Sequence, residues 1–191
     1  MTATASPLPR RGLNARQAET VEKLLDAGLA MLERAAYDDL TIRLIASRAG
    51  VSAATAYTYF SSKDHLFAAL FWRHISDAES PRLRGGPEAR MRACVRHLCG
   101  LVSESPALAA AASKSLLGSD PDVEELRILM GRHWSDVFMN ALGDAAEPAL
   151  VRALLFCFSG ALLEAGMGIF AYDDLADQVE ASFAVILRGN V

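Results

Sequence analysis

Residues 40–70 read LTIRLIASRAGVSAATAYTYFSSKDHLFAAL, and the spacing of their apolar side chains decides the fold. Ile42, Ile45, Ala46 and Ala49 recur at steps of three and four, which places them on one face of a short helix. Gly50 follows, where a positive φ can end that helix, and Ser52 can cap a second over about residues 52–59. Ser61 and Ser62 then precede Lys63 and Asp64, a start signal for a longer helix carrying Leu66, Phe67, Leu70, Phe71 and Ile75 to about residue 78. Helices of seven to nine residues do not persist alone in water, so both short ones must pack on a neighbour. Ala46 is small enough for the second to cross the first closely. The stretch therefore reads as a helix-turn-helix.

The neighbour lies upstream. Over residues 15–35, Val21, Leu24, Leu25, Gly28, Leu29 and Leu32 share one face, opposite Glu19, Glu22, Lys23, Asp26 and Glu33. Downstream, PRLRGGP at 81–87 is the strongest loop signal in the chain. Beyond it, five further helices are predicted over about 88–104, 106–117, 122–142, 147–170 and 173–187, several opened by a Pro whose missing N–H is harmless in a first turn. No hairpin dipeptide separates alternating runs. The expectation is an all-α fold of about nine helices: a basic, flexible arm over 1–14, a helix-turn-helix domain over 15–78 whose last helix is shared as a hinge, and a second helical domain over 79–191.

Composition fits that plan. The 191 residues are 52% hydrophobic and 22% charged, which excludes a disordered chain. Cys94, Cys99 and Cys157 sit inside helical stretches, so no disulfide framework is expected and a cytoplasmic setting fits. The amino-terminal segment has no apolar core of a secretory signal. Residues 153–172 are apolar enough to suggest a membrane span, yet Glu164 lies near their middle and Gly and Ala abound, so a buried helix and no membrane partner are expected. The net charge of −4 at first opposes a nucleic-acid partner. Divided at residue 75, however, the amino-terminal part holds nine Lys/Arg against seven Asp/Glu, net +2, and the remainder is −6.

In the second short helix, Ala53, Ala54, Thr55 and Thr58 are small enough to enter a major groove, and Tyr57 and Tyr59 can reach flanking bases or phosphates unless they are packed inward. At these residues LTIRLIASRAGVSAATAYTYFSSKDHLFAAL resembles the amino-terminal domain of the tetracycline-repressor (TetR) family of bacterial transcription regulators, over about residues 15–75. The resemblance implies a homodimer, joined through the last two helices, that sets two recognition helices on a pseudo-palindromic operator in double-stranded DNA and answers to a small effector. It assigns Arg43 to a base-reading position, Ser52, Thr55, Tyr57 and Tyr59 to the recognition helix, and Lys63 to a phosphate contact at a helix N-terminus. Ala56 and Thr58 depart from the family's usual "TLYRYF". The Ala53 and Ala54 pair favours thymine-methyl contacts or shape reading.

In the second domain, the resemblance implies an effector cavity, for which Phe71, His74, Met91, Cys94, His97, Met130, His133, Trp134, Phe138, Phe156 and Glu164 are candidates. Their mostly apolar character favours a lipophilic effector. Glu164 could equally be held by a buried Arg. Cys94 and His97 have a metal-compatible spacing but lack further partners, so neither metal nor cofactor is expected. No nucleophile elbow, phosphate loop or dinucleotide fingerprint occurs, so no catalytic residue is proposed. For dimerisation, Ala161, Ala165 and Gly168 offer a small-residue face, and Leu175, Val179, Phe183, Ile186 and Leu187 an apolar one. The function expected is a repressor released from its operator by a small, largely apolar effector. An all-helical enzyme and a protein-binding adaptor are the rival readings.

Overall fold

The computed structural model describes residues 13–190, so most of the expected arm, with Arg10 and Arg11, lies outside the described residues. Among them are nine α-helices and no strand: α1 (Ala15–Leu32), α2 (Ile42–Arg48), α3 (Ala53–Tyr59), α4 (Lys63–Ser76), α5 (Pro87–Ser103), α6 (Pro106–Leu116), α7 (Pro121–Leu142), α8 (Pro148–Gly166) and α9 (Leu175–Leu187). Single 3₁₀ turns at Tyr37–Asp39, Gly143–Ala145 and Tyr172–Asp174 were not foreseen.

Local chemistry accounts for the starts. Asn14 and Gln17 form a reciprocal capping box on α1, each side chain accepting the other's backbone N–H at 3.0 and 2.9 Å, satisfying two otherwise orphaned donors. Thr41, Ser52 and Ser62 cap α2, α3 and α4 by accepting from Leu44, Thr55 and His65, and α5 to α8 each open on Pro. The turn after α2 is a Schellman closure: Gly50 takes φ +66°, Val51 N–H donates to Ala46 at 2.9 Å and Gly50 N–H to Ser47 at 3.2 Å. That pattern needs the left-handed residue glycine supplies.

Helix α4 joins the two halves. Every residue from His65 to Phe71 is buried, one side on α1 and another on α6 and α7. Where α1 crosses it, a Cβ at Gly28 would lie 2.9 Å from Leu66 Cδ2, so the glycine sets the closeness of the crossing. Arg73 ties the far end of α4 to Glu22 and Asp26 of α1.

The carboxy-terminal helices differ from expectation in three ways. Helix α8 ends at Gly166, four residues early, because Gly168 at φ +76° and the Ile169-to-Glu164 bond close another Schellman turn. It is not a buried helix: it has the length and composition to cross a membrane, yet only 28% of its apolar window is buried inside the chain. Phe156 and Met167 stand exposed and Leu163, partly exposed, lines the cavity described below, while Ala165 is buried and Gly168 lies past the helix end. The stripe assigned to dimerisation on α9 is spent internally instead, with Leu175, Val179, Phe183 and Leu187 buried where α9 meets α5 and α8. Periodicity identifies an apolar face without saying whether its partner is in the same chain.

Candidate nucleic-acid interface and ligand cavity

The second helix of the pair is held by its own ends. Ala56 is fully buried and lets α3 lie against α2. Its small side chain, a departure from the family pattern, therefore serves a close crossing. Ala54, Tyr57 and Thr58 are exposed, whereas Ala53, Thr55 and Tyr59 are half-buried, Tyr59 against the core. Two hydroxyls are already engaged: Thr55 Oγ1 pairs with the capping Ser52 Oγ at 2.8 Å, and Thr58 Oγ1 donates to its own backbone at Ala54, 3.1 Å away. Tyr57, 49% exposed, is thus the longest open polar tip on α3. On α2, Arg43 is exposed and forms no ion pair among the described residues. Arg48 is in the same condition and was not anticipated.

Lys63 opens α4 and makes contacts that its sequence position did not disclose. Its Nζ donates to the carbonyls of Tyr37 (2.9 Å) and Asp38 (3.4 Å) and lies 4.3 Å from the centre of the Tyr37 ring. In this conformation its ammonium closes the 3₁₀ turn with two of its three donors. The Tyr37 hydroxyl itself donates to Asp64 and lies 2.9 Å from Ser115 Oγ of α6. Lys114 of α6 reaches Asp38 at 2.7 Å.

A second polar junction lies at the α6–α7 loop. Asp120 caps α7 through the Asp122 N–H (2.9 Å), and its other oxygen accepts from Ser62 Oγ (2.6 Å) and Ser61 Oγ (2.9 Å). Burial opposes its ionisation, but the hydrogen bonds from Ser62, Ser61 and the Asp122 amide outweigh that cost and hold the carboxyl below its ordinary range. Ser61 also donates its N–H to His65 Nδ1 at 3.3 Å. The short segment between α3 and α4 is thereby tied to the loop that opens α7.

That loop borders a cavity of about 360 Å³ walled by α4 to α8, within the ~300–1,000 Å³ range of ligand pockets. Of the predicted effector residues, Phe71, Met130 and Trp134 line it, together with Val102, Leu116, Arg127, Leu162 and Tyr172, which the sequence reading missed. The others are elsewhere. His74 and His97 border a separate cleft of about 680 Å³ with Glu33, Arg73, Asp77 and Glu104, and the His74 ring is bound to the Leu101 carbonyl at 2.7 Å. Met91 lies along a groove between α5 and α9. Cys94 and Phe138 are fully buried in the core, and burial pushes the Cys94 thiol up to about 12. His133 is wedged edge-on between Trp72 and Trp134, its pKa lowered by burial. Phe156, 68% exposed, and exposed Glu164 do not line the cavity, and Glu164 has no Arg partner among the described residues. Their helix is apolar on both sides, which leaves periodicity unable to choose the inward one.

Known proteins agree with this geometry. The family model of bacterial regulatory proteins, tetR family, matches residues 24–70. An uncharacterized HTH-type transcriptional regulator of Mycobacterium tuberculosis is 39% identical over 179 residues, 92% of this chain and 84% of its own. The HTH-type transcriptional repressor KstR of Mycolicibacterium smegmatis is 31% identical over 137 residues, 69% of this chain and 67% of its own. A solved TetR transcriptional regulator from Rhodococcus sp. RHA1 shares the fold at TM-score 0.71 and 19% identity, covering 91% of this chain and 98% of that one.

Proposed function

This chain belongs to the TetR family of bacterial regulatory proteins and is a DNA-binding transcription regulator, not an enzyme, and from that premise we propose that it is a homodimeric repressor released from its operator by a small, largely apolar ligand. The observation that carries the reading is the bonded route between two surfaces. The cavity borders the α6–α7 loop, and Asp120 of that loop holds Ser61 and Ser62 at the end of the helix-turn-helix. A ligand that changes the loop would change where α3 stands, and by linkage DNA would lower ligand affinity by the same factor.

Arg43, Arg48 and Tyr57 are the base- and phosphate-contacting candidates of this reading. Ser52, Ala53, Ala54, Thr55, Thr58 and Tyr59 frame them, and Lys63 braces the unit from within. The partner of the exposed apolar residues Phe156 and Met167, with Val185 of α9, is a second copy of the chain. An apolar patch of this kind on a DNA-binding protein of two-fold operators fits an isologous contact. The regulator works as a soluble, cytoplasmic protein. Footprinting on the DNA beside its own gene tests the proposal. Two-fold symmetric protection of half-sites about one helical turn, ~34–36 Å, apart is expected, and protection of one unsymmetrical half-site would refute the dimeric reading.

A further inference from the structure

Arg127 is the one charged side chain in the wall of the 360 Å³ cavity, whose other lining residues are mostly apolar. It is half-buried and forms no ion pair among the described residues. Its Nη1 donates to the carbonyls of Leu116 and Gly118, both at 2.7 Å, at the C-terminal end of α6. A guanidinium has five N–H donors in a fixed fork, and those on Nε and Nη2 have no side-chain or carbonyl acceptor among the described residues. At the same wall the Tyr172 hydroxyl is buried and completes no hydrogen bond of normal geometry, although it faces Ser113. The buried Tyr172 hydroxyl is an open donor, and half-buried Arg127 keeps Nε and Nη2 for water or for an acceptor that arrives with the occupant.

We infer that the ligand of this site is an amphipathic carboxylate, its anionic head paired with Arg127 and its apolar body lying along Met130, Trp134 and Phe71. The inference rests on the proposed ligand-released function for its biological meaning, but not for its chemistry. Planar bidentate pairing with a carboxylate is what the free edge of an arginine is shaped for. The cavity volume corresponds to about twelve waters at ~30 Å³ each, so the ligand has about a dozen non-hydrogen atoms. Arg127 also holds the α6–α7 loop by its two carbonyl bonds, and that loop carries Asp120. A carboxylate on the free edge leaves the Nη1 bonds to the Leu116 and Gly118 carbonyls in place. The ligand is thereby joined to the α6–α7 loop through one guanidinium.

One eight-carbon body with three heads tests this on the full-length protein: octanoate, 1-octanol and octylamine, measured by isothermal titration calorimetry at neutral pH. Octanoate should bind about 10- to 100-fold more tightly than octanol, the range for a hydrogen-bonded charge pair, and octylamine more weakly than either. Arg127→Gln should level the three. Gly131 lines the cavity, and a Cβ there meets nothing within 4 Å. Gly131→Leu should fill the space and abolish binding of all three while leaving the circular dichroism of a folded helical protein. Octanol binding as tightly as octanoate in the natural protein would overturn the inference, and this arm needs no variant to fold. A preference for octanoate that survives Arg127→Gln, or no binding of any of the three, would overturn it equally. Octanoate that binds in the expected order yet leaves the protein on its operator would sink the proposed release and uphold the carboxylate site.

Discussion

Replacing Asp120 by Ala should cut two things at once, and their sizes can be worked from the contacts. Its Oδ1 caps α7, and loss of such a cap costs about 1 kcal/mol. Its Oδ2 receives the Ser61 and Ser62 hydroxyls, and hydrogen bonds to a charged acceptor contribute about 1.5–3 kcal/mol when buried. Asp120 is only partly buried, so screening by water places the pair together nearer 2 kcal/mol. The total is about 3 kcal/mol, a fall in Tm of about 6–12 °C for a chain of this size. Asp120→Asn keeps an oxygen for the cap and should lose about half as much. The sign with pH follows from the depressed pKa of Asp120. Its contribution is complete above the unfolded carboxyl value of about 3.9 and disappears as pH falls through the lower folded value. The gap between the natural protein and Asp120→Ala should therefore close in that acid window. Urea unfolding at fixed protein concentration, in a double-mutant cycle with Ser62→Ala, isolates the bond. Ser62 also caps α4, but that cost appears in both legs of the cycle and cancels. A coupling energy below about 0.5 kcal/mol would mean that the two residues act independently, and the mechanical link between loop and helix-turn-helix would have to be abandoned.

Other outcomes follow from single residues. Arg43→Ala should weaken operator binding by about 1–3 kcal/mol and relax preference at one base pair, whereas loss of a phosphate contact would weaken all sequences alike; mobility shifts on a panel of singly substituted operators separate the two. Gly28→Val should destabilise the protein by about 1–3 kcal/mol, because its side chain enters the space of Leu66 Cδ2, and an unchanged urea midpoint would contradict the close crossing of α1 and α4. Phe156→Asp should turn the proposed dimer into monomer in analytical ultracentrifugation with little change in far-ultraviolet circular dichroism, since the ring is exposed within one chain. Cys94 and Cys99 are buried, with thiols pushed up to about 12 by desolvation. At pH 8 only half-buried Cys157 should titrate with a thiol reagent before unfolding, and rapid reaction of two thiols per folded chain would refute the burial.

What the sequence discloses, and what it withholds, follows the range of the forces involved. The helix-turn-helix was legible because its signals act within five residues: Thr41, Ser52 and Ser62 accept from amides three positions on, and Gly50 closes a turn upon Ala46. The backbone contacts of Lys63 were not foreseen because its acceptors, Tyr37 and Asp38, lie more than twenty positions back in a 3₁₀ turn with no periodic signature. The same distance hid Arg127 and Asp120, which resemble surface charges until α6 and α7 are folded beside α4. Charge illustrates the point most sharply. The +2 excess of residues 1–75 counts Lys23, Lys63 and Arg73 as available to DNA, yet Lys23 pairs with Glu19, Arg73 with Glu22 and Asp26, and Lys63 with backbone carbonyls. Arg43 and Arg48 remain unpaired next to α3. On the proposed reading, attraction to DNA in this region comes from a few positioned guanidinium groups rather than from a broad basic field, and doubling those few in the proposed dimer is what would make a specific complex possible.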